Sequence, residues 1–479
     1  MIYIIFILIS LNNLYKYNQI MQQQYYSIDR YIKVINKQND VYDFVIFLLG
    51  VIVFITNNVI FYNIYLLLLL SYYFPRKRKE IIKLKITKRI VRMYIFQTLF
   101  IFLCAFLTNM LVFEFKAIVL GGYCFLFKYL YLISFEVENI IELLLKRKYI
   151  KLAKRKLRIY KPKIIAITGS FGKTSTKEYL KTILSKKYKV IATPKSYNTI
   201  MGITSFINNS LNKEYDYIIL EVGVDSKNGM NKFLKLFTPD ISIVTGLAPQ
   251  HLSTFKTIEN IANEKMKLAF ATKEKAFING DFELYVKQNK KFIYCKTKEI
   301  KIKDEGFIYD EDYYQTNLFG EHLYINLLLV IKVSLYLNLS KNLIKDGIKN
   351  IVNSPHRFEL IKLENTLVID DSYNSNLYSF EKALDSLSKI DKYKIIITPG
   401  LIELGDKSYE YNSIVAKKCE EICNKIFLVG NNIAFKENLK SSEKLETFLN
   451  FKDAYHRALL IELDKAILIE NDLPDIFIE

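Results

Sequence analysis

Residues 41–74 (VYDFVIFLLGVIVFITNNVIFYNIYLLLLLSYYF) are nearly all apolar, and this run constrains the chain more than any other feature. A stretch so long and so poor in charge must be withdrawn from water, into lipid or into a protein core. It fits one over-long membrane span or a tight pair broken at Thr56-Asn57-Asn58. Residues 91–113 and 117–135 each fit a further spanning helix of about 20 residues, the second carrying Lys128 as its one charge. Residues 1–11 are too short for a span, and they lack the basic n-region and small-residue cleavage site of a signal peptide. Buried core helices are the alternative reading. The length of the runs favours spans.

Charge sharpens the expectation. The chain holds 68 Lys+Arg against 49 Asp+Glu, a formal +19. Residues 76–92 carry nine basic side chains and one Glu, and residues 146–163 carry ten and no acid. These two patches hold +18 of the +19, so the rest is nearly neutral. Lys/Arg-rich short loops stay on the cytoplasmic side. The expectation is therefore a multi-pass protein of the cytoplasmic membrane, with 91–135 crossing out and back and everything after 136 inside. The patches can also attract anionic head groups of membrane lipids. No nucleic-acid partner is expected, because no recognition motif accompanies them. A hydrophobic share of 51% excludes global disorder. The five cysteines form no CxxC pair, which leaves no support for a zinc ribbon or a disulfide framework.

A length of 479 residues predicts two to four domains. The divisions read as an N-terminal segment (1–40), a transmembrane region (41–135), a basic amphipathic linker (136–162) and two α/β domains (163–354 and 355–479). After Pro162, β-branched strands alternate with amphipathic helices: 163–168, 217–222 and 241–246, then 367–372, 394–400, 425–430 and 466–472. Such alternation predicts parallel sheets covered by helices. The fold class is thus α/β, with a P-loop parallel-sheet domain followed by a smaller Rossmann-like domain.

Thr168-Gly169-Ser170-Phe171-Gly172-Lys173-Thr174, followed by Ser175, comes directly after a strand and opens a helix. Gly169, Ser170 and Gly172 build a turn whose N–H groups can face phosphate oxygens, with the helix N-terminus adding positive potential. Lys173 can reach β/γ-phosphates and the Thr174 hydroxyl can ligate Mg²⁺. Ile167 stands where the general P-loop pattern has its first Gly. Glu221 ends the third strand, at the sheet edge where ligands bind.

TGSFGKTSTKE resembles the Mur ligases, the ATP-dependent amide ligases of peptidoglycan precursor synthesis, and most of all the branch that joins D-alanyl-D-alanine to a UDP-linked muramoyl tripeptide. The resemblance covers roughly residues 160–479. Further segments follow in family order, and what each implies comes from the resemblance alone. Ser196-Tyr197-Asn198-Thr199 is similar to a substrate-facing loop, which implies substrate contacts for Tyr197, Asn198 and Thr199. Glu221 is implied as an Mg²⁺ ligand. Thr245-Gly246 through His251-Leu252 resembles T-N-x-x-x-x-H-L, with Gly246 in place of Asn and His251 as a second metal ligand. Lys265 resembles the family's carbamoylated lysine, a CO₂ adduct that would orient Mg²⁺. Asn326 is implied at adenine, Arg357 at nucleotide phosphate and Asp371 at the ribose or hinge.

Two features depart from the family. No counterpart of its soluble UDP-sugar domain precedes the P-loop, and Glu470-Asn471-Asp472 stands where it has K-G-S-R. The resemblance implies an ATP- and Mg²⁺-dependent acid–amino-acid ligase working through an acyl phosphate, with Lys173, His251 and Lys265 as catalytic residues. Its partners would be a UDP- or lipid-linked muropeptide and an amine donor. The alternatives are a nucleotide-binding membrane scaffold or an amidotransferase subunit of wall synthesis.

Overall fold

The computed structural model describes residues 2–24, 26–36, 41–56, 58–73, 83–111, 113–194, 197–249, 252–285, 289–373, 375–402 and 404–471. The chain divides into two compact units, Met1–Lys148 and Tyr149–Glu479.

The first unit is helical: Ile2–Gln23, Ile28–Ile35, Val41–Thr56, Val59–Tyr73, Lys88–Asn109 and the start of a 48-residue helix, Phe113–Tyr160. Its core gathers Met21, Tyr31, Ile35, Ile46, Tyr65, Ile90 and Met93. Buried polar pairs fix the packing. Asn18 and Gln97 exchange side-chain hydrogen bonds of 2.8 and 3.0 Å, and the Tyr131 hydroxyl donates to Asn18 Oδ1 at 2.9 Å. Fully buried Glu138 is held by Arg89 and Arg92, each at 3.2 Å.

The membrane expectation meets its first correction here. The run 41–74 takes the second of its two expected forms, a pair broken near Thr56, but the helices have only 16 and 15 residues, about 24 Å or less at 1.5 Å per residue against a hydrocarbon core of about 30 Å. Among the described residues, only Lys88–Asn109 and Phe115–Tyr160 are long and apolar enough to cross a membrane, and buried helices pass the same test. Residues 136–160 are not a separate linker; they continue the helix begun at Phe113. The basic patches are partly spent inside the protein. Arg89 and Arg92 pair with Glu138, Lys154 donates to the Lys235 carbonyl at 3.1 Å, and Lys156 donates to Asn208 and Leu211 carbonyls at 2.7 and 3.0 Å.

The second unit holds two six-stranded sheets. The first contains β1 (Lys163–Thr168), β2 (Val190–Ala192), β3 (Tyr217–Glu221), β4 (Ile241–Val244), β5 (Lys275–Asn279) and β6 (Phe292–Cys295), all parallel, in the order β2-β3-β1-β4-β5-β6. β1 is central, and Ile165 through Thr168 are fully buried. A strand covered on both faces reads as a continuous apolar run, which is why KIIAIT was legible. A small antiparallel sheet of β7 (Lys301–Lys303), β8 (Gly306–Tyr309) and β9 (Asp312–Gln315) follows. Its short, mixed-polarity strands carry no clear period, and the sequence offered no sign of them.

The second sheet contains β10 (Glu359–Leu363), β11 (Thr366–Asp371), β12 (Tyr393–Thr398), β13 (Lys425–Val429), β14 (Leu445–Phe448) and β15 (Lys465–Glu470), in the order β10-β11-β15-β12-β13-β14. Only the edge strand β10 is antiparallel. The helices Leu377–Ser388, Ser408–Ile422 and Ile433–Asn438 pack into one core, while Phe451–Leu459 packs into another with Val368, Phe427 and Ile467. The first of these helices begins in a reciprocal capping box: Asn376 Oδ1 accepts from Ser379 N–H at 3.2 Å, and Ser379 Oγ accepts from Asn376 N–H at 3.0 Å. An Asn cap replaced by Ala costs about 1 kcal/mol. Asn376→Ala is therefore expected to lower the urea-unfolding free energy by about that amount; an unchanged midpoint would contradict the cap.

Candidate functional site

The turn after β1 is forced by packing. Gly169 has φ +157°, and a Cβ there would lie 2.1 Å from Thr245 Oγ1. Gly172 has φ +75°, and its Cβ would lie 2.8 Å from Asn326 Oδ1. No other residue type enters either position without displacing a neighbour. Ser170 ties the loop to the segment after β4: its N–H donates to Gly246 O at 2.8 Å and its hydroxyl to Ala248 O at 3.0 Å.

Two lysines converge on this loop. Lys173 Nζ donates to the carbonyls of Gly169 (2.8 Å) and Ser170 (3.2 Å), and Lys265 Nζ donates to Gly169 O at 3.1 Å. Burial pushes the Lys173 ammonium down to about 8; Arg357 adds to the effect and Glu221 opposes it. Burial and then the Lys173 charge push Lys265 down to about 7, against Asp225 and Glu264. Lys265 sits on the helix Ile258–Ala271 and is 3% exposed. It is not the solvated helical lysine that a Lys-rich composition would suggest.

Opposite them lies Glu221, buried at the end of β3. Its carboxylate accepts from Thr174 Oγ1 (3.1 Å), Lys177 Nζ (3.2 Å) and Asn198 Nδ2 (3.4 Å). Lys177 was missed in the sequence. It is fully buried, and the available signal was its position three residues after Thr174, on the same helix face.

The remaining expected residues fall into two groups. Asn326 belongs to the site: it lies against Gly172, is 2% exposed, and its buried Oδ1 has no hydrogen-bond partner among the described residues. Arg357 stacks on Tyr373 at 4.1 Å, close enough to Asp371 and Lys173 to act on both electrostatically. Asp371 Oδ1 accepts from Phe358 N–H at 3.1 Å, and desolvation raises its carboxyl to about 7 against the pull of Arg357. Fully buried Glu470, the register partner of Asp371, was not assigned a role in the sequence.

Four further residues expected at the site have the following surroundings. The Thr199 hydroxyl caps the helix Ile200–Ser210 by accepting from Gly202 N–H at 3.1 Å, and Ser175 is buried in the first turn of the helix that follows the phosphate turn. Tyr197 is exposed, and Asn198 is engaged with Glu221. His251, Ser196, Asn374 and Asp472 lie outside the described residues.

These groups suit a nucleotide and a divalent cation. Two Cβ-free positions make a cradle, an amide oxygen without a partner is buried beside it, and a carboxylate and a hydroxyl lie within 3.1 Å of each other at the strand edge. The architecture is that of a P-loop α/β protein carrying a second, C-terminal α/β domain. The chain belongs to the Mur ligase family: residues 167–334 match the Mur ligase middle domain and residues 356–469 the Mur ligase, glutamate ligase domain.

It is 31% identical over 304 residues to the UDP-N-acetylmuramoyl-tripeptide–D-alanyl-D-alanine ligase of Borreliella burgdorferi, covering 59% of this chain and 65% of that protein. The Escherichia coli ligase of the same name is 26% identical over 273 residues, covering 51% and 59%. The chain thus spans somewhat under two thirds of the length of these relatives. In fold it is similar to MurF from Thermotoga maritima in complex with ADP (TM-score 0.61, 21% identity, 68% of this chain and 80% of that one). It is also similar to E. coli FolC in complex with DHPP and ADP (TM-score 0.52, 17% identity, 68% and 90%). With these matches to ligases and the short helices of 41–73, the expectation of a multi-pass protein of the cytoplasmic membrane does not stand.

The position of Lys265 has a measurable consequence. Its amine releases its proton near pH 7 in the fold but near 10.5 when unfolded. Between those values the unfolded state holds a proton that the folded state lacks, so this contribution to stability rises with pH and is lost as pH falls through 7. Across pH 7–9, the urea midpoint of the native protein should climb relative to that of Lys265→Met; parallel profiles would count against a desolvated Lys265.

Proposed function

We propose that the chain is an ATP-dependent carboxylate–amine ligase of peptidoglycan precursor synthesis, working through an acyl phosphate. The reading rests on one observation above all: Lys173 and Lys265 meet on the Gly169 carbonyl, across from the Thr174–Glu221 pair. That combines cations for a polyphosphate with an anionic ligand for its counter-ion.

The turn N–H groups and Lys173 would bind the β- and γ-phosphates. Thr174 and Glu221, with His251, would hold Mg²⁺, which neutralises phosphate charge when bound. The acceptor carboxylate attacks the γ-phosphorus and ADP leaves; the donor nitrogen then attacks the acyl carbon and phosphate leaves. Catalysis in such transfers is mainly positioning and charge neutralisation. Arg357 and Asp371 would reach the nucleotide from the second sheet, and Asn326 would offer its free oxygen to the base. The neutral Lys265 amine is the form that adds CO₂, forming an N–C bond and releasing a proton. Its lowered proton affinity favours that carbamate, an anion able to orient the cation.

The named relatives join D-alanyl-D-alanine to UDP-N-acetylmuramoyl-tripeptide, and this pair is the proposed substrate set. A lipid-linked acceptor was motivated by the apolar helices that stand in place of the UDP-sugar domain; the named relatives, whose acceptor is UDP-linked, favour the UDP-linked one. Full-length protein with ATP, Mg²⁺, bicarbonate and this pair should yield amide and ADP in equal amounts by mass spectrometry. Lys173→Ala should lower kcat by roughly 10²–10³, the scale of losing one preorganised charge contact. ATP binding without turnover would instead favour a nucleotide-binding scaffold.

A further inference from the structure

The phosphate-binding turn carries a large aromatic ring, Phe171, between Ser170 and Gly172. The Phe171 carbonyl accepts from the Thr245 hydroxyl, which anchors its backbone. Its ring lies over Gly246: a Cβ at that position would come within 2.4 Å of Phe171 Cζ and 2.8 Å of both Cε atoms. Gly246 is thus what makes room for Phe171, and the two unusual residues form one feature.

The ring also meets the second domain. Phe171 stacks on Tyr378 with centroids 5.1 Å apart and planes at 26°. Tyr378 is the second residue of the helix Leu377–Ser388, which follows the Asp370-Asp371 strand end. Phe282, from the turn after β5, packs edge-on against both rings at 5.9 and 5.6 Å. All three rings are half-buried. A second interdomain stack, Phe319 on Phe358 at 5.4 Å, lies beside the connection between the domains, so the chain itself keeps those rings close. Phe171 and Tyr378 are separated by more than 200 residues. Their contact forms only when the domains are docked.

We propose that Phe171 is a positioning residue: its stack with Tyr378 and Phe282 is a latch that ties the nucleotide-binding turn to the docked state of the C-terminal domain, which carries Arg357 and Asp371. The inference rests on the nucleotide reading of the turn. A stacked aromatic pair is worth about 0.5–1.5 kcal/mol, so losing it shifts the closed-to-open ratio by roughly 2- to 10-fold.

The test measures ADP·Mg²⁺ binding by calorimetry, hydrogen exchange of 377–388 with and without ADP, and the KM for the amine donor. Full-length wild type, Phe171→Ala, Tyr378→Ala, Tyr378→Phe and the Phe171→Ala/Tyr378→Ala double variant are compared. ADP should protect 377–388 in the wild type and in Tyr378→Phe. Each alanine variant should lose protection and raise donor KM by roughly 2- to 10-fold, while the double variant should be no worse than either single one. Gly246→Ala should reproduce the loss by displacing the ring, and adding Phe171→Ala should relieve any fall in thermal stability it causes.

ADP binding with unchanged exchange and KM in the alanine variants, or additive losses in the double variant, overturns the latch alone. Absence of ADP binding by the wild type overturns the nucleotide reading, and the latch with it.

Discussion

One carbonyl organises the site. Gly169 O accepts from both Lys173 and Lys265, so two like charges are drawn to one point with little water around them. Burial does most of the work in lowering the proton affinity of both; the Lys173 charge lowers that of Lys265 further, and Arg357 that of Lys173. The arrangement is tolerable because Glu221, Glu264 and Asp225 stand near enough to offset it. A loop that concentrates positive charge at the start of a helix is suited to an anion.

The rest of the second unit supports that point. The central strand β1 delivers the turn, its neighbours β3 and β4 deliver Glu221 and Thr245, and the helix from Ile258 delivers Lys265. Thr245 and Asn326 occupy the space that a side chain at 169 or 172 would need, so those positions take glycine. Glu221 shares its carboxylate among Thr174, Lys177 and Asn198, which holds the strand edge, the first helix turn and the Asn198 loop together. Charge and packing are therefore one network rather than a site added to a scaffold.

Much of this was legible residue by residue. KIIAIT announced a strand buried on both faces, and GKT at its end announced a helix start with a phosphate turn. The acidic end of β3 was readable because strand period and sheet-edge position are local properties. Lys177 was not readable, because only the fold decides that this lysine among many is buried on Glu221. That the Thr199 hydroxyl caps a helix was not read either, because a hydroxyl's local partners are set by where the helix begins. In the apolar N-terminal runs the break near Thr56 was legible, but the pairing of Arg89 and Arg92 with Glu138 was not, because it is a fact of packing.

The sequence by itself determined the α/β alternation, the phosphate turn and membership of a ligase family, because periodicity and contiguous motifs are written along the chain. Only the tertiary structure decided which lysines lose their water, which carboxylate they face, and that Gly246 makes room for Phe171 to reach Tyr378. Those depend on desolvation and on distances between residues far apart in sequence, and neither exists until the chain has folded.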